Sequence, residues 1–251
     1  MNIAISEESI AIVNCSGNVG KTTVTRELLA PRLPHMTVRQ IESINTDESN
    51  GPEVEVMIAA HFDQLHDELM LGQELLVDIG ASNVEEYLQR LKDAKGSHED
   101  YAFFVVPTEP GKKQQKDTIK TIVLLEELRV RPERIRVLFN KVEVPKGESI
   151  EQSLQRQFAE IYQHHDRFST FTLSSAALIP ASEIFSIAAE AGITIHDIAG
   201  DDIDYKAQLA SAESDSEKRR IVRLLSLKRK ALSIDPQLDR AFDALMLGAT
   251  D

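Results

Sequence analysis

Tryptophan is absent from this sequence, cysteine occurs once, and aromatic residues make up only 5% of its 251 positions. The single cysteine, Cys15, excludes a disulfide within the chain and any metal site built from cysteines alone. With no partner thiol, a reducing compartment is expected, and we predict a cytoplasmic location. The low aromatic content argues against a carbohydrate or nucleic-acid surface built on stacked aromatic rings.

Long hydrophobic runs are missing as well. No apolar stretch approaches the roughly 20 residues that a membrane-spanning helix needs. The first residues, MNIAISEESIAIV, have no positively charged start and no long apolar segment, so we expect no signal peptide. A hydrophobic content of 42% is ordinary for a globular protein. The length of 251 residues suffices for one large α/β domain, or for a domain with a small appendage.

Acidic residues outnumber basic ones, 41 to 28, and the formal net charge is −13. An acidic chain binds nucleic acid poorly unless its cations are segregated. Residues 218–230, called here the basic segment, are the exception. Three interpretations stay open for it: a solvated helix whose apolar residues pack on the core, a contact with DNA phosphates, or a membrane-surface helix. The basic segment holds no acid and seven cations: Lys218, Arg219, Arg220, Arg223, Lys228, Arg229 and Lys230.

Short β-rich runs alternate with amphipathic helical stretches through the first 200 residues. This alternation predicts an α/β fold with a mostly parallel, twisted sheet flanked by helices. Beyond Gly200 only charged helical segments follow, so we predict one domain over residues 1–200 and a helical C-terminal extension over residues 201–251.

Periodicity places the individual elements. Strands are expected at residues 9–14, 37–44, 74–79, 101–107, 134–140 and 169–173. Helices are expected at residues 22–33, 55–71, 83–95, 112–128, 150–164 and 181–192, and in the extension at 204–212, 216–232 and 236–247.

The turn after the first strand carries the strongest chemical signal. Residues 14–23 read Asn-Cys-Ser-Gly-Asn-Val-Gly-Lys-Thr-Thr, and a strand, a loop and a helix around Gly-Lys-Thr are the context of a phosphate-binding P-loop. Backbone N–H groups of such a loop form an anion cradle. Lys21 is then predicted to reach the β- and γ-phosphates, and the Thr22 hydroxyl to ligate Mg²⁺. Because Cys15 occupies the first glycine position of the general pattern, an ordinary turn with a chance match is the alternative.

Asp78 closes the strand predicted at residues 74–79. A carboxylate at the carboxyl end of a parallel strand points into the ligand crevice, so we predict that Asp78 holds Mg²⁺ through water. Gly80 would allow the following loop to respond to a γ-phosphate. The alternative is a strand-end carboxylate that caps the next helix.

Residues 16–23, Ser-Gly-Asn-Val-Gly-Lys-Thr-Thr, resemble the sequence K-G-G-V-G-K-T-T of the ParA/MinD family of P-loop ATPases. Four further segments follow in the family's order, so the resemblance spans residues 9–199 and implies a ParA/MinD-like P-loop NTPase fold. Within the family the chain looks most like the plasmid stability and conjugal-transfer branch, the StbB or TraL type. The four segments are 75–80 (LLVDIG), 102–110 (AFFVVPTEP), 137–142 (VLFNKV) and 179–198.

The resemblance implies a set of site residues for ATP and Mg²⁺. Asn140 is expected to contact the base, and Glu42 to lie near the metal with Thr22 and Asp78. Catalysis is assigned to Lys21, Asp78 and Asp47. The loop residues expected to bind the nucleotide are Ser16, Gly17, Asn18, Val19, Gly20, Lys21, Thr22 and Thr23.

Departures from the family pattern concern hydrolysis. The family's signature lysine, which reaches the phosphates of a dimer partner, is replaced by Ser16, and Asn18 replaces the second loop glycine. The family's D-x-D corresponds to residues 42–44, where Ile44 cannot orient water; Asp47 is the nearby substitute. Hydrolysis needs a group that orients water and a cation that stabilises developing charge. We therefore predict slow or partner-dependent ATP hydrolysis.

Two further hypotheses stay open. The chain could be a nucleotide-dependent adaptor without turnover, or a GTPase or small-molecule kinase that shares the P-loop. Residues 140–143, Asn-Lys-Val-Glu, resemble the guanine signature N-K-x-D, although the overall resemblance favours ATP. The resemblance implies as partners a second copy of the chain in a homodimer and a DNA-binding protein on a plasmid. Direct DNA contact through residues 218–230 is the next partner prediction, ahead of a membrane surface.

Overall fold

The computed structural model describes residues 9–42, 55–58 and 62–246. Its centre is a seven-stranded sheet in which every neighbouring pair is parallel, in the order β3-β2-β4-β1-β5-β6-β7. The predicted α/β fold with a parallel sheet is confirmed. The strands are β1 (Ser9–Ile12), β2 (Thr37–Glu42), β3 (Glu55–Ile58), β4 (Leu75–Ile79), β5 (Tyr101–Thr108), β6 (Ile135–Val142) and β7 (Leu178–Pro180).

Helices cover both faces of the sheet. None in the described part of the chain is long and apolar enough to cross a membrane. They are α1 (Lys21–Thr23), which continues as a π-helix (Val24–Leu29) and a 3₁₀ turn (Ala30–Arg32), then α2 (Phe62–Met70), α3 (Val84–Asp93), α4 (Lys112–Glu127), α5 (Ile150–Gln157), α6 (Ala159–Phe168), α7 (Ile184–Ala191), α8 (Ile195–Gly200), α9 (Tyr205–Ser211) and α10 (Asp215–Met246).

Two hydrophobic cores lie on opposite faces of the sheet, because successive side chains of a strand point to opposite sides. In β1, Ala11 belongs to the core that α2 to α6 cover, whereas Ile10 and Ile12 belong to the core under the π-helix, α7, α8 and α10. With hydrophobic residues on both faces, β1 is buried along its whole length. The loop that follows β1 therefore starts from a strand that is buried on both faces of the sheet.

The C-terminal helix α10 takes part in the second core. Its buried residues Leu227, Ala231, Leu238, Ala241 and Leu245 share that core with β1. The division of the chain into residues 1–200 and 201–251 stays a prediction.

The helix predicted over residues 55–71 is wrong in its first part. Residues 55–58 form the edge strand β3, which pairs in parallel with β2, and the helix α2 begins at Phe62. The sequence Glu-Val-Met-Ile is too short to show a helical period, and its valine and isoleucine favour a strand.

The last strand is also misplaced in the prediction for residues 169–173. Only one isolated bridge, between Arg136 and Thr172, forms there, and β7 lies at Leu178–Pro180 instead. Three residues are too few to produce a readable alternation. The helix predicted at residues 150–164 is broken at Phe158 into α5 and α6.

The two helices predicted for residues 216–247 are one helix, α10, with Pro236 inside it. Proline leaves the carbonyl group four residues earlier without its helical donor. That residue is Leu232, which is exposed, so water can satisfy its carbonyl group. The proline therefore does not end the helix.

Pro31 determines how the helix after β1 ends. Its ring is incompatible with a regular bond to the carbonyl group of residue 27. The backbone adopts π spacing before it, and the N–H of Ala30 donates to the carbonyl of Thr25. Arg32 then donates from Nη1 to the carbonyl oxygen of Glu27 at 3.1 Å, which replaces the missing backbone donor.

Arg32 also ties this helix to α10. Its Nη2 lies 2.9 Å from a carboxylate oxygen of Asp235 and 2.7 Å from one of Asp239. The Arg32 side chain is 7% exposed, so the ion pairs are shielded from solvent on the arginine side. The helix that carries the P-loop is thereby held against the C-terminal helix.

We predict that Arg32→Ala lowers the free energy of unfolding by about 1–3 kcal/mol, because the Glu27 carbonyl and the largely buried Asp235 carboxylate lose a charged donor. Urea denaturation followed by circular dichroism measures this. Arg90→Ala, which removes the exposed pair with Glu86, is the matched control and should cost at most about 0.5 kcal/mol. Equal losses in the two variants would contradict the structural role of Arg32.

Candidate nucleotide-binding site

The loop between β1 and α1 has the backbone shape of an anion cradle. Asn18 and Gly20 both adopt left-handed conformations, with φ of 60° and 81°. Alternation of left- and right-handed residues turns successive N–H groups toward one point, which suits an anion. The N–H groups of Gly17, Asn18 and Gly20 donate to no other group in the part of the chain that the structure describes. These donors are available to a ligand.

Lys21 folds back over the loop. Its ammonium group donates to the carbonyl oxygens of Asn14 and Ser16, at 3.1 Å each. Burial lowers the pKa of Lys21, while the negative charges of Asp78 and Glu42 raise it. The ammonium group is therefore a desolvated cation at the mouth of the loop, where a phosphate can replace its carbonyl partners.

Asp78 lies at the end of β4, directly beside β1, where it is in register with Ile12. It is 3% exposed, and burial raises its pKa from 3.8 to about 6. Hydrogen bonding from Thr22 and the charge of Lys21 act in the opposite direction. The structure thus brings together the three side chains predicted to handle phosphate and metal.

Glu42 reaches the same edge of the sheet from β2. Gln40 donates to its Oε1 at 2.9 Å, and its negative charge contributes to the raised pKa of Asp78. Mg²⁺ is typically held by one or two carboxylates, a hydroxyl and phosphate oxygens. Asp78, Glu42 and Thr22 supply such oxygen donors, so the residues present fit Mg²⁺ bound together with a nucleotide.

Side chains of the described residues do not form a metal centre by themselves. Residues 9–42 and 62–246 contain no group of three or more histidine, cysteine or acidic side chains placed to hold a metal ion. A metal at this site therefore depends on ligands that the phosphates bring.

Gly80 lies where the predicted responsive loop begins. Its N–H donates to the carbonyl oxygen of Ile41 at 2.8 Å, and a Cβ on Gly80 would lie 2.9 Å from that same oxygen. The φ of Gly80 is one that any residue can adopt, so its conformation does not require glycine. The close approach of the Ile41 carbonyl oxygen does, because it leaves no room for a Cβ. The loop after Asp78 is thus attached to the end of β2, the strand that carries Glu42.

Asn14 supports the loop from below, a role that the sequence analysis did not assign. Its Nδ2 donates to the carbonyl of Pro107 and to Thr118 Oγ1, and its Oδ1 accepts the N–H of Ser16 at 2.7 Å. Thr121 Oγ1 accepts the N–H of Cys15 at 2.9 Å. Polar residues spaced three apart on the otherwise apolar face of α4 are the sequence signal that could have revealed this support.

Cys15 packs against the first core beside α4. Burial raises the pKa of its thiol, so the group stays protonated at neutral pH and is not activated as a nucleophile. Cys15 is therefore best explained as a small residue that fits at a position where the general pattern has glycine.

The remaining predicted residues have different outcomes. Ser16 is buried in the loop and Asn140, at the end of β6, contacts the loop through Val19. Asp47 and Ile44 lie outside the described residues. The structure therefore assembles the predicted phosphate and metal residues but does not address the predicted water-positioning residue.

Comparisons with known proteins agree with this geometry at the level of the fold. No protein-family profile and no characterised protein sequence matches the chain. Apo McdA from Cyanothece matches with a TM-score of 0.52 and 13% identity over 90% of this chain and 99% of that chain. A chain of the MinC:MinD cell division protein complex from Aquifex aeolicus matches with a TM-score of 0.51 and 15% identity, over 90% of this chain and 96% of that chain. The fold is that of ParA/MinD-type P-loop ATPases, which confirms the resemblance at fold level.

The raised pKa of Asp78 has a consequence for stability in the absence of ligand. Between pH 3.8 and about 6 the folded chain keeps a proton that the unfolded chain has released, so the free energy of unfolding falls as pH rises through this window. Asp78→Asn lacks this penalty. We predict that the variant is more stable than the parent at pH 7 by about 2–3 kcal/mol and that the difference disappears near pH 4.

Urea denaturation at several pH values measures this difference. Asp93→Asn, which makes the same change in charge at an exposed position on α3, is the matched control. A variant that is less stable than the parent at pH 7 would mean that the contacts of Asp78 with Thr22 and Lys21 outweigh its burial.

Proposed function

We propose that this protein binds ATP with Mg²⁺ in the turn between β1 and α1 and uses the nucleotide to control its association with partners. The observation that carries the proposal is the preformed loop, in which the ammonium of Lys21 is buried and interacts electrostatically with the buried carboxyl group of Asp78. A desolvated cation and a raised carboxylate pKa at one loop are typical of a functional site. A turn that matched the motif by chance would need neither.

Each residue then has a chemical task. The N–H groups of Gly17, Asn18 and Gly20 hold phosphate oxygens, and Lys21 exchanges its carbonyl partners for the β- and γ-phosphates. Asp78 and Thr22 hold Mg²⁺, with Glu42 close by. When bound, Mg²⁺ neutralises phosphate charge and fixes the phosphate chain. Because Asp78 must lose its proton to serve as a ligand, nucleotide binding and its ionisation are linked.

Hydrolysis is proposed to be slow without a partner. The Ser16 hydroxyl is a neutral group that donates to the carbonyl of Gly17, so position 16 supplies no cation to a neighbouring subunit. Transition-state charge on the γ-phosphate normally requires such a cation. The absence of a charge at position 16 also favours the second candidate, an adaptor that binds nucleotide without turnover.

The biological setting follows from fold and nucleotide together. MinD from Aquifex aeolicus was solved in a complex with MinC, so a protein of this fold can carry a partner protein. We propose a cytoplasmic role in plasmid maintenance, segregation or conjugative transfer, as in the StbB or TraL type. The partners would be a second copy of the chain and a plasmid-bound protein. In this proposal, residues 1–200 form the nucleotide-binding domain and residues 201–251 the helical extension.

We predict that Lys21→Ala abolishes binding of Mg²⁺-ATP while the chain stays folded, because the loop loses its phosphate-facing cation. Isothermal titration calorimetry measures binding, and circular dichroism checks the fold. Lys92→Ala, which removes an exposed lysine of α3, is the control and should leave affinity unchanged. Unchanged ATP affinity in Lys21→Ala would show that the nucleotide site is elsewhere.

The basic segment offers fewer free cations than its sequence indicates. Lys228 pairs with Asp201, and Lys230 pairs with Glu183. The other five are exposed and form no ion pair with any residue in the described ranges: Lys218, Arg219, Arg220, Arg223 and Arg229. Arg219 and Arg223 are four residues apart on one helix and so share a face. We propose that this face contacts nucleic-acid phosphates without sequence preference.

Reversal of three charges, with Arg219, Arg220 and Arg223 all changed to Glu, should abolish retention on DNA. DNA retention is lost because three contacts with phosphates are removed. The slope of log affinity against log salt concentration should therefore become shallower by about 3. Fluorescence anisotropy with a random duplex, at several salt concentrations, measures both. The control reverses three exposed cations elsewhere, Lys92, Lys95 and Arg131, with the same change in net charge. Equal losses in both variants would indicate a bulk charge effect only.

A further inference from the structure

Asn140 lies at the carboxyl end of β6, and both ends of its carboxamide are already used. Its Nδ2 donates to the carbonyl oxygen of Val19 at 2.9 Å, and its Oδ1 accepts the N–H of Lys141 at 2.9 Å. A carbonyl can only accept and an N–H can only donate, so these two neighbours fix which end of the amide is which. The side chain is 3% exposed. The protein itself therefore orients the amide and covers it almost completely.

Gly20 makes this contact possible. A Cβ at residue 20 would lie 2.2 Å from Asn140 Nδ2, closer than any side chain can approach. Gly20 also has a φ of 81°, a conformation that a side chain disfavours. Gly20 therefore allows two things: its backbone bends the loop, and the absence of a side chain leaves space for the Asn140 amide.

The backbone after Asn140 is held in an unusual conformation that supports the same contact. Lys141 has a φ of 54°, which is uncommon for a residue other than glycine. Its side chain pairs with Glu109, whose carboxylate is 13% exposed, at 2.7 Å. Such a conformation persists only where the surroundings fix it. Here the ion pair and the bond to Asn140 Oδ1 fix it, and the carboxamide is aimed at the loop.

We propose that Asn140 is a positioning residue for the phosphate loop and that it does not select the nucleobase. By holding the carbonyl of Val19, it keeps that oxygen turned away from the cradle, so that the neighbouring N–H groups face the phosphates. This proposal rests on the proposed function, because it assigns a role within the same phosphate site. It predicts that Asn140 contributes equally to the binding of every ligand that carries the triphosphate.

The test compares three ligands with Mg²⁺: ATP, GTP and inorganic tripolyphosphate, which has no base. In Asn140→Ala all three should bind more weakly by the same factor, on the order of tenfold, as expected for one lost hydrogen bond that orders the loop. Thr121→Val removes the acceptor for the Cys15 N–H at the other end of the loop and should give the same uniform pattern. Calorimetric titration measures each affinity.

Hydrogen exchange on the ligand-free protein gives a second readout. Asn140→Ala should raise exchange of the amides of residues 17–20, because the loop loses its anchor. Ser149→Ala removes the capping box of α5, far from the loop in sequence, and controls for lost stability alone; it should change neither the loop exchange nor the ligand profile. If Asn140→Ala does not fold, Asn140→Ser serves instead, since its hydroxyl is too short to reach the Val19 carbonyl.

Each outcome supports or overturns the positioning role of Asn140. Uniform weakening with faster loop exchange supports the positioning role. Weaker binding of ATP or GTP with unchanged tripolyphosphate affinity overturns it and assigns Asn140 to the base. Should the parent chain bind none of the three ligands, the proposed function fails, and loop exchange still decides whether Asn140 anchors the loop.

Discussion

The ammonium group of Lys21 is buried, and a buried charge must be satisfied by polar partners or it costs several kcal/mol. Its immediate partners are two carbonyl oxygens of the loop itself, those of Asn14 and Ser16. The carboxylate of Asp78 supplies compensating charge, yet burial keeps the pKa of that group near 6. The contacts within the protein therefore do not fully offset the cost of burying the Lys21 ammonium and the Asp78 carboxylate. A phosphate with Mg²⁺ satisfies both at once.

The rest of the molecule holds this arrangement in place. At the start of the loop, Thr118 and Thr121 of α4 bind Asn14 and the N–H of Cys15. Near its end, Asn140 binds the carbonyl oxygen of Val19. Arg32 attaches the helix that follows to α10. Preorganised donors cost no reordering when a ligand arrives, which is the advantage of a loop shaped in advance. The same connections provide physical routes by which the state of the loop could reach α4 and α10.

Sequence alone predicted the parts of this structure that depend on local patterns. The buried strand β1, the glycine-bearing turn and the acid at the end of β4 each have a signal within a few residues, and together they predicted that Lys21, Thr22 and Asp78 lie close together. The short strands β3 and β7 were missed because four and three residues cannot show a period.

Contacts between distant residues were beyond such patterns. Asn140 is 121 residues from Val19, and Arg32 is 203 residues from Asp235. Nothing local indicates that either pair meets, because the parallel sheet and its crossovers decide which strand ends become neighbours. The role of Asn140 could be inferred only once both ends of its amide had partners. The π-helix has a local cause in Pro31, but its repair by Arg32 depends on a tertiary contact.

The most direct test of the proposed nucleotide site is a paired measurement on the purified chain: calorimetric binding of ATP with Mg²⁺, and phosphate release from the same sample. The account predicts saturable ATP binding, with phosphate release that is slow in the absence of partners. No binding of ATP would contradict it, because the preformed loop and the buried Lys21 would then have no ligand to satisfy them. Rapid release by the chain alone would contradict the role assigned to Ser16 and require another cation at the γ-phosphate.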